Sequence, residues 1–285
     1  RGLLLFHGLG SGKTCTSITI AEGMKTSKQV IVMTPASLRM NYIEELKKCG
    51  DTIYRKNQYW EFINTTTQPE LINALSNVLA ISVEFINKQG GAWLVNLKKP
   101  ANFSALKTEE KASVDNQINE MINHKYKFIN YNGMRSNHLR ALSNDYTINP
   151  FDNKVIIIDE AHNFVSRIVN KLTKKDSLSL KLYSYLMDAD NVKIVFLTGT
   201  PMINYPNELG ILFNILRGRI KSWSFKLKIK DQKKVTNETF VKMFNSKVMG
   251  GKMVDYINYK PTTTTLTITR NPFGFVNTER KGAYS

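Results

Sequence analysis

The sequence predicts an α/β fold: a mainly parallel sheet flanked by helices, with a smaller C-terminal extension. Short apolar runs recur at Leu3 to Phe6, Gln29 to Met33, Tyr126 to Asn130, Lys154 to Ile158 and Val192 to Leu197, each bounded by turn or polar residues. Near-continuous apolar runs suit strands buried on both faces of a parallel sheet. Stretches with helical spacing fall between them, such as Tyr42, Ile43 and Leu46, and that alternation marks a layered α/β domain.

In chain order, Leu3 to Phe6 reads as a strand ended by the glycine-rich HGLGSGKT, and Cys15 to Met24 as a helix. Gln29 to Met33 is a second strand, followed by a turn at Thr34-Pro35 and a helix over Ser37 to Cys49, which completes a right-handed βαβ unit. Residues 50–125 read as an insertion or peripheral helical region, with aromatic pieces at Tyr59 to Ile63 and Val83 to Ile86 and a polar stretch from Lys107 to Asn123. Between the last two strands, Ala161 to Met187 is mostly helical, with Phe164, Ile168, Leu172, Leu178, Leu182 and Leu186 in register. The pattern changes near Gly218, so 1–218 is expected to be one lobe and 219–285 an extension or the start of a linking region. In that second part KSWSFKLKIKDQKK alternates apolar and basic residues, Thr239 to Phe244 looks helical, and the run Thr262 to Thr265 reads as a strand edge.

The 285 residues include 40 Lys and Arg against 23 Asp and Glu, a net charge of +17. Such an excess attracts polyanions through a field that salt weakens, and nucleic acid is the leading partner, although Lys-rich proteins from AT-rich genomes drift basic without binding anything. Two cysteines are too few for a disulfide framework, and a reducing compartment is expected. The apolar start covers only Leu3 to Phe6, far short of the roughly 20 residues of a membrane span, so no membrane is expected. Arg1 in place of Met, directly on a core strand, predicts a piece of a longer chain.

The loop HGLGSGKT lies between a strand and a helix, which is the context a phosphate-binding turn requires. Gly8, Leu9, Gly10, Ser11 and Gly12 form the cradle: the glycines permit positive φ and close backbone approach, so successive amides can face one phosphate. The helix N-terminus adds its dipole. Lys13 would reach the β- and γ-phosphates, and the Thr14 hydroxyl would serve magnesium. His7 stands where the strict pattern has glycine, and no role is assigned to it.

In KVIIIDEAH, Asp159 and Glu160 fall at the C-terminal end of a buried strand, the edge where α/β sheets bind ligands. Asp159 is expected to hold magnesium, and Glu160 to polarise the water that attacks the γ-phosphate. VFLTGTP brings Thr198, Gly199 and Thr200 to the end of another strand, where hydroxyls could sense the nucleotide.

The ordered set GSGKT, TPASL, DEAH and LTGTP resembles motifs I, Ia, II and III of superfamily 2 helicases and translocases over residues 1 to about 217. LTGTPMINYPNEL is similar to a run of the Swi/Snf-like branch, with Asn204, Glu208 and Leu209 matching it. FHGLGSGKT, IIIDEAHNFVSRIVN and LTGTPMINYPNELGILFNILRG resemble the helicase-like ATPases of nucleocytoplasmic large DNA viruses, a group that includes the large subunit of the poxvirus early transcription factor.

The resemblance implies a RecA-like, P-loop NTPase lobe that binds ATP and Mg2+, with Lys13 and Glu160 catalytic. It implies that His162 bridges toward Thr198 to Thr200, that Thr34, Pro35 and Ser37 approach a nucleic-acid backbone, and that Tyr131 and Asn132 stand at another strand-binding element. The expected partner is nucleic acid, DNA ahead of RNA, with RNA polymerase or transcription-factor subunits in the full-length protein. The implied setting is intracellular, a viral factory in host cytoplasm or a virion. Two other readings stay open: a DNA-binding transcription-initiation subunit whose ATP site governs assembly or release, and a restriction- or remodelling-type translocase. Such motors complete their ATP site with arginines of a second RecA-like lobe, and no Gln-x-x-Gly-Arg-x-x-Arg pattern occurs before Ser285. The isolated chain is therefore expected to be a weak ATPase, since a transition-state arginine contributes on the order of 10³–10⁵ in rate.

Overall fold

The computed structural model describes residues 1–8, 10–24, 27–174, 176–228, 235–245 and 254–271. The elements in chain order are β1 (Gly2–Phe6), α1 (Lys13–Glu22), β2 (Gln29–Thr34), α2 (Arg39–Cys49), β3 (Trp60–Asn64), α3 (Ile72–Leu79), α4 (Val83–Gln89), β4 (Gly91–Val95), α5 (Thr108–Lys125) and β5 (Tyr126–Asn130). They continue with α6 (Ser136–Leu142), β6 (Lys154–Ile158), α7 (Ala161–Val169), α8 (Leu178–Asp188), β7 (Lys193–Thr198), α9 (Asn207–Arg217), β8 (Lys221–Lys226), α10 (Asn237–Asn245), β9 (Tyr256–Lys260) and β10 (Thr265–Arg270).

Five strands form one parallel sheet in the order β1-β7-β6-β2-β5. Alternate residues feed opposite cores, because successive strand side chains point to opposite faces. Val30, Val32, Val155, Ile157, Val195 and Leu197 join α1, α2 and α5 on one side. Ile31, Met33, Ile156, Ile158, Ile194 and Phe196 join α7, α8 and α9 on the other. The register aligns Phe6 with Thr198, Ile158 with Phe196 and with Met33, and Thr34 with Asn130. The C-terminal ends of all five strands therefore reach one edge. This is the RecA-like α/β arrangement, with a further antiparallel sheet, β8-β10-β9, after it.

The helical stretch expected over Ala161 to Met187 is two helices. The first ends at Val169 and the second begins at Leu178, where Ser177 accepts a hydrogen bond from the Leu180 amide to cap α8. In the region 50–125, β3 and β4 pair as an antiparallel ribbon, and the polar stretch from Lys107 is the longest helix among the described residues, α5. Its buried stripe contains Gln117, whose side chain accepts from the Trp93 amide (2.7 Å) and donates to the Trp93 carbonyl (2.7 Å), joining helix to ribbon. A buried amide paired at both ends loses little on desolvation. Thr262 to Thr264 belong to the turn between β9 and β10 rather than to a strand edge; only Thr265 is in the strand.

Candidate functional site

Each strand of the parallel sheet ends in a loop at the shared edge, and the motif residues sit on those loops. After β1 the chain turns through Gly10 (φ 73°) and Gly12 (φ 77°), left-handed conformations that a side chain would strain; Gly8 is not in that region. A Cβ on Gly8, Gly10 or Gly12 would meet nothing within 4 Å, so these faces of the loop look onto open space that phosphate can approach. Gly12 caps α1, which begins at Lys13. Lys13 Nζ donates to the carbonyls of His7 (2.8 Å) and Gly8 (2.7 Å), and Ser11 Oγ donates to Gly8 O (2.7 Å). Leu9 lies outside the described residues.

Glu160 has φ 48°, which for a non-glycine residue costs about 1–2 kcal/mol. It turns the chain sharply from β6 into α7. Asp159 Oδ1 accepts from the Glu160 amide (3.0 Å). Burial, and then the neighbouring Glu160 charge, push the Asp159 carboxyl up to about 6; the Glu160 amide and Lys13 pull in the other direction without offsetting this. Two adjacent carboxylates short of positive charge are the setting that a divalent cation relieves, so the donor set fits magnesium. Asp159 and Glu160 line one cleft of about 410 Å³ together with Gly10, Ser11, Gly12, Lys13 and Thr14.

His162 connects this pair to the end of β7. Its Nδ1 is 2.8 Å from Thr198 Oγ1, 3.4 Å from Thr200 Oγ1 and 3.4 Å from Glu160 Oε2. Thr198 is fully buried, and its hydroxyl also accepts from the Thr200 amide (3.0 Å). Gly199 faces Lys13: a Cβ there would lie 3.9 Å from Nζ. Beyond it, the buried Glu208 accepts from the amides of Ile203 (2.7 Å) and Asn204 (3.1 Å), while Asn204 Nδ2 donates to Ser166 Oγ on α7 (2.9 Å). Burial works to raise the Glu208 carboxyl, but these donors outweigh it and hold it below the usual carboxylate range.

The opposite wall of the cleft was missed by motif reading. Leu38, Asn41, Tyr42 and Glu45 line it; the last three share one face of α2, which follows directly on TPASL. Burial raises the Tyr42 hydroxyl, which is hydrogen-bonded to Ser17 (2.9 Å) across α1 and α2. Cys15 also lines the cleft, and it is joined to Cys49 in a disulfide with the Cα atoms 5.4 Å apart. Residues 34 apart in sequence are neighbours because α1 packs on α2.

The proposed nucleic-acid contacts divide. Ser37 and Asn132 are exposed. Thr34, Pro35 and Tyr131 are buried. Tyr131 packs edge-on against Phe164 (5.4 Å) and donates toward the carbonyls of Asp159 and Glu160 (3.1 Å each). Its hydroxyl supports the acidic pair from beneath, and burial raises its pKa.

A model of the SNF2-related domain matches residues 1–242. The chain belongs to the SNF2-related family. This makes it a helicase- or translocase-type ATPase domain, and two viral proteins are among its relatives. A protein of Acanthamoeba polyphaga mimivirus, named "Putative ATP-dependent RNA helicase R563", is 28% identical over 76% of this chain and 29% of its own length. The "Termination factor NPH-I homolog" of African swine fever virus is 27% identical over 77% of this chain and 23% of its own. The chain thus spans less than a third of these relatives. Among solved structures, the Sulfolobus solfataricus SWI2/SNF2 ATPase core in complex with dsDNA matches with a TM-score of 0.37 and 18% identity, over 75% of this chain and 31% of that one. In this SNF2-related chain, no described helix is long and apolar enough to cross a membrane. A wider, more apolar groove of about 900 Å³ beside Tyr146, Tyr183 and Tyr185 contains neither a glycine loop nor an acidic pair.

Proposed function

We propose that the chain is the ATP-binding lobe of a superfamily 2 helicase or translocase that hydrolyses ATP with magnesium to move on, or remodel, nucleic acid, and that it serves viral early transcription. The observation that carries this reading is the single cleft that holds Lys13, Thr14, Asp159 and Glu160 at the sheet edge.

Amides of the glycine loop and the α1 N-terminus hold phosphate oxygens. Lys13, which donates to the His7 and Gly8 carbonyls, would turn its ammonium to the β- and γ-phosphates. Thr14 and Asp159 would hold magnesium, which would supply charge stabilisation at the transferring phosphoryl group. Glu160 orients the attacking water and takes its proton. His162, in reach of Glu160, Thr198 and Thr200, ties the hydrolytic carboxylate to the loop after β7, and a change at one is felt at the other.

Nucleic acid as the track is supported by the +17 charge. A role beside RNA polymerase or transcription-factor subunits is supported by the termination-factor name of the African swine fever virus relatives. The deciding experiment is isothermal titration with magnesium-ATP: the wild-type chain binds, and Lys13→Ala loses binding. Undiminished binding by Lys13→Ala would remove the loop from the site.

A further inference from the structure

The disulfide lies on the wall of the nucleotide cleft. Cys15 is the third residue of α1, directly after Lys13 and Thr14, and Cys49 is the last residue of α2. Between them stands Glu45, one turn before Cys49 and itself part of the cleft wall. Its Oε2 is 3.4 Å from Cys15 Sγ and 3.8 Å from Cys49 Sγ, while its Oε1 accepts from the exposed Lys48 Nζ (2.8 Å). One carboxylate oxygen is thus addressed by both sulfurs, and the other by a solvated lysine.

We propose that Cys15 and Cys49 are a reversible thiol-oxidation site that sets the affinity of the adjoining cleft for a nucleoside triphosphate through Glu45. The inference rests on the nucleotide reading of that cleft. In the dithiol form both S–H groups can donate to Oε2. Oxidation by a peroxide removes two electrons and two protons from the thiols and forms one S–S bond, and the peroxide is reduced to two waters. A dithiol reductant reverses the step, returning two electrons and two protons and becoming a disulfide itself. The disulfide has no proton to donate, so Oε2 loses both donors and only Lys48 remains on the carboxylate. A less compensated negative charge then faces the triphosphate. The sign follows: the oxidised form binds ATP more weakly. The two helices stay packed in either form, because Ser17 and Tyr42 join them by a buried hydrogen bond that does not involve the sulfurs.

The test uses the chain treated with hydrogen peroxide or with dithiothreitol. Bond content is read by mass spectrometry after alkylation, and magnesium-ATP affinity by titration. Oxidation is expected to weaken binding roughly three- to tenfold, the scale of one or two lost hydrogen bonds, and reduction to restore it. Cys49→Ser, outside the cleft, is expected to bind like the reduced wild type whatever the treatment. Glu45→Gln is expected to form the bond yet show no redox difference. Equal affinities with the bond demonstrably formed would overturn the inference and leave the nucleotide reading intact. So would zinc held by Cys15, Glu45 and Cys49 that keeps the thiols from oxidising. Failure of the reduced wild type to bind ATP would instead sink the nucleotide reading, and this inference with it.

Discussion

The two sets of motif residues at the sheet edge behave differently. Lys13, Thr14, Asp159 and Glu160 turn their side chains into one cleft, whereas Thr34, Pro35 and Tyr131 turn theirs into the protein. Both sets follow strand ends, so position does not separate them. The chemistry of the loop does: the first set stands where glycines and a strained Glu160 leave polar groups open. In the second, the local hydrogen bonds are already made. Asn130 Oδ1 accepts from the amides of Asn132 and Gly133, and Arg167 donates to the carbonyls of Tyr131 and Asn132. A motif can therefore mark a backbone shape as well as a contacting side chain.

The largest effect expected on the first set is that of Glu160→Gln in the full-length protein. If Glu160 is the general base, ATP turnover falls by about 10²–10⁴-fold while magnesium-ATP binding persists in titration. Retained turnover would make the two sets alike, both structural. For the second set, Tyr131→Ala is expected to destabilise the chain by about 3–5 kcal/mol, as loss of a buried aromatic does, and Tyr131→Phe by about 1 kcal/mol, both read by urea denaturation. Were Tyr131 a strand contact instead, stability would hold and DNA affinity would fall.

Sequence pattern carried most of the sheet, because β-branched runs such as Val155 to Ile158 admit few alternatives. It carried less of region 50–125, where α5 presents Glu, Lys and Asn at most positions and buries a narrow stripe that includes Gln117. Within the site, residues specified by short motifs were readable because their spacing is local. The α2 wall was not, since Asn41, Tyr42 and Glu45 become part of the cleft only when α2 packs on α1. The same holds for the burial of Tyr131, which depends on Phe164 from another strand-helix unit.

The Asp159 carboxyl gives a pH test of the same contrast. Its folded pKa, about 6, lies above the ordinary value of 3.8. The folded chain therefore binds more protons between those values, so stability declines as pH rises from about 4 to 6 and the loss is complete above 6. Asp159→Asn is expected to be more stable than wild type at pH 7.5, by at most about 3 kcal/mol, with the difference gone below about pH 4. Denaturation midpoints across that range measure it, and magnesium is expected to narrow the gap by restoring charge to the wild type. A pH-independent gap would mean that Asp159 is held by contacts like those of the second set.

The smallest effects belong to the exposed residues beside the buried ones. Arg39 is exposed and lies over the Phe128 ring (5.3 Å), next to the exposed Ser37. If this surface meets a DNA backbone, Arg39→Ala removes one counterion-releasing charge and lowers the slope of log affinity against log salt by about 1. Ser37→Ala removes a neutral donor; DNA affinity is expected to fall only about two- to fivefold, with the salt slope unchanged. The slope therefore discriminates where the affinity loss does not: equal slopes for Arg39→Ala and wild type would place the basic track elsewhere on the +17 surface and leave the Thr34 to Ser37 segment as a purely structural turn.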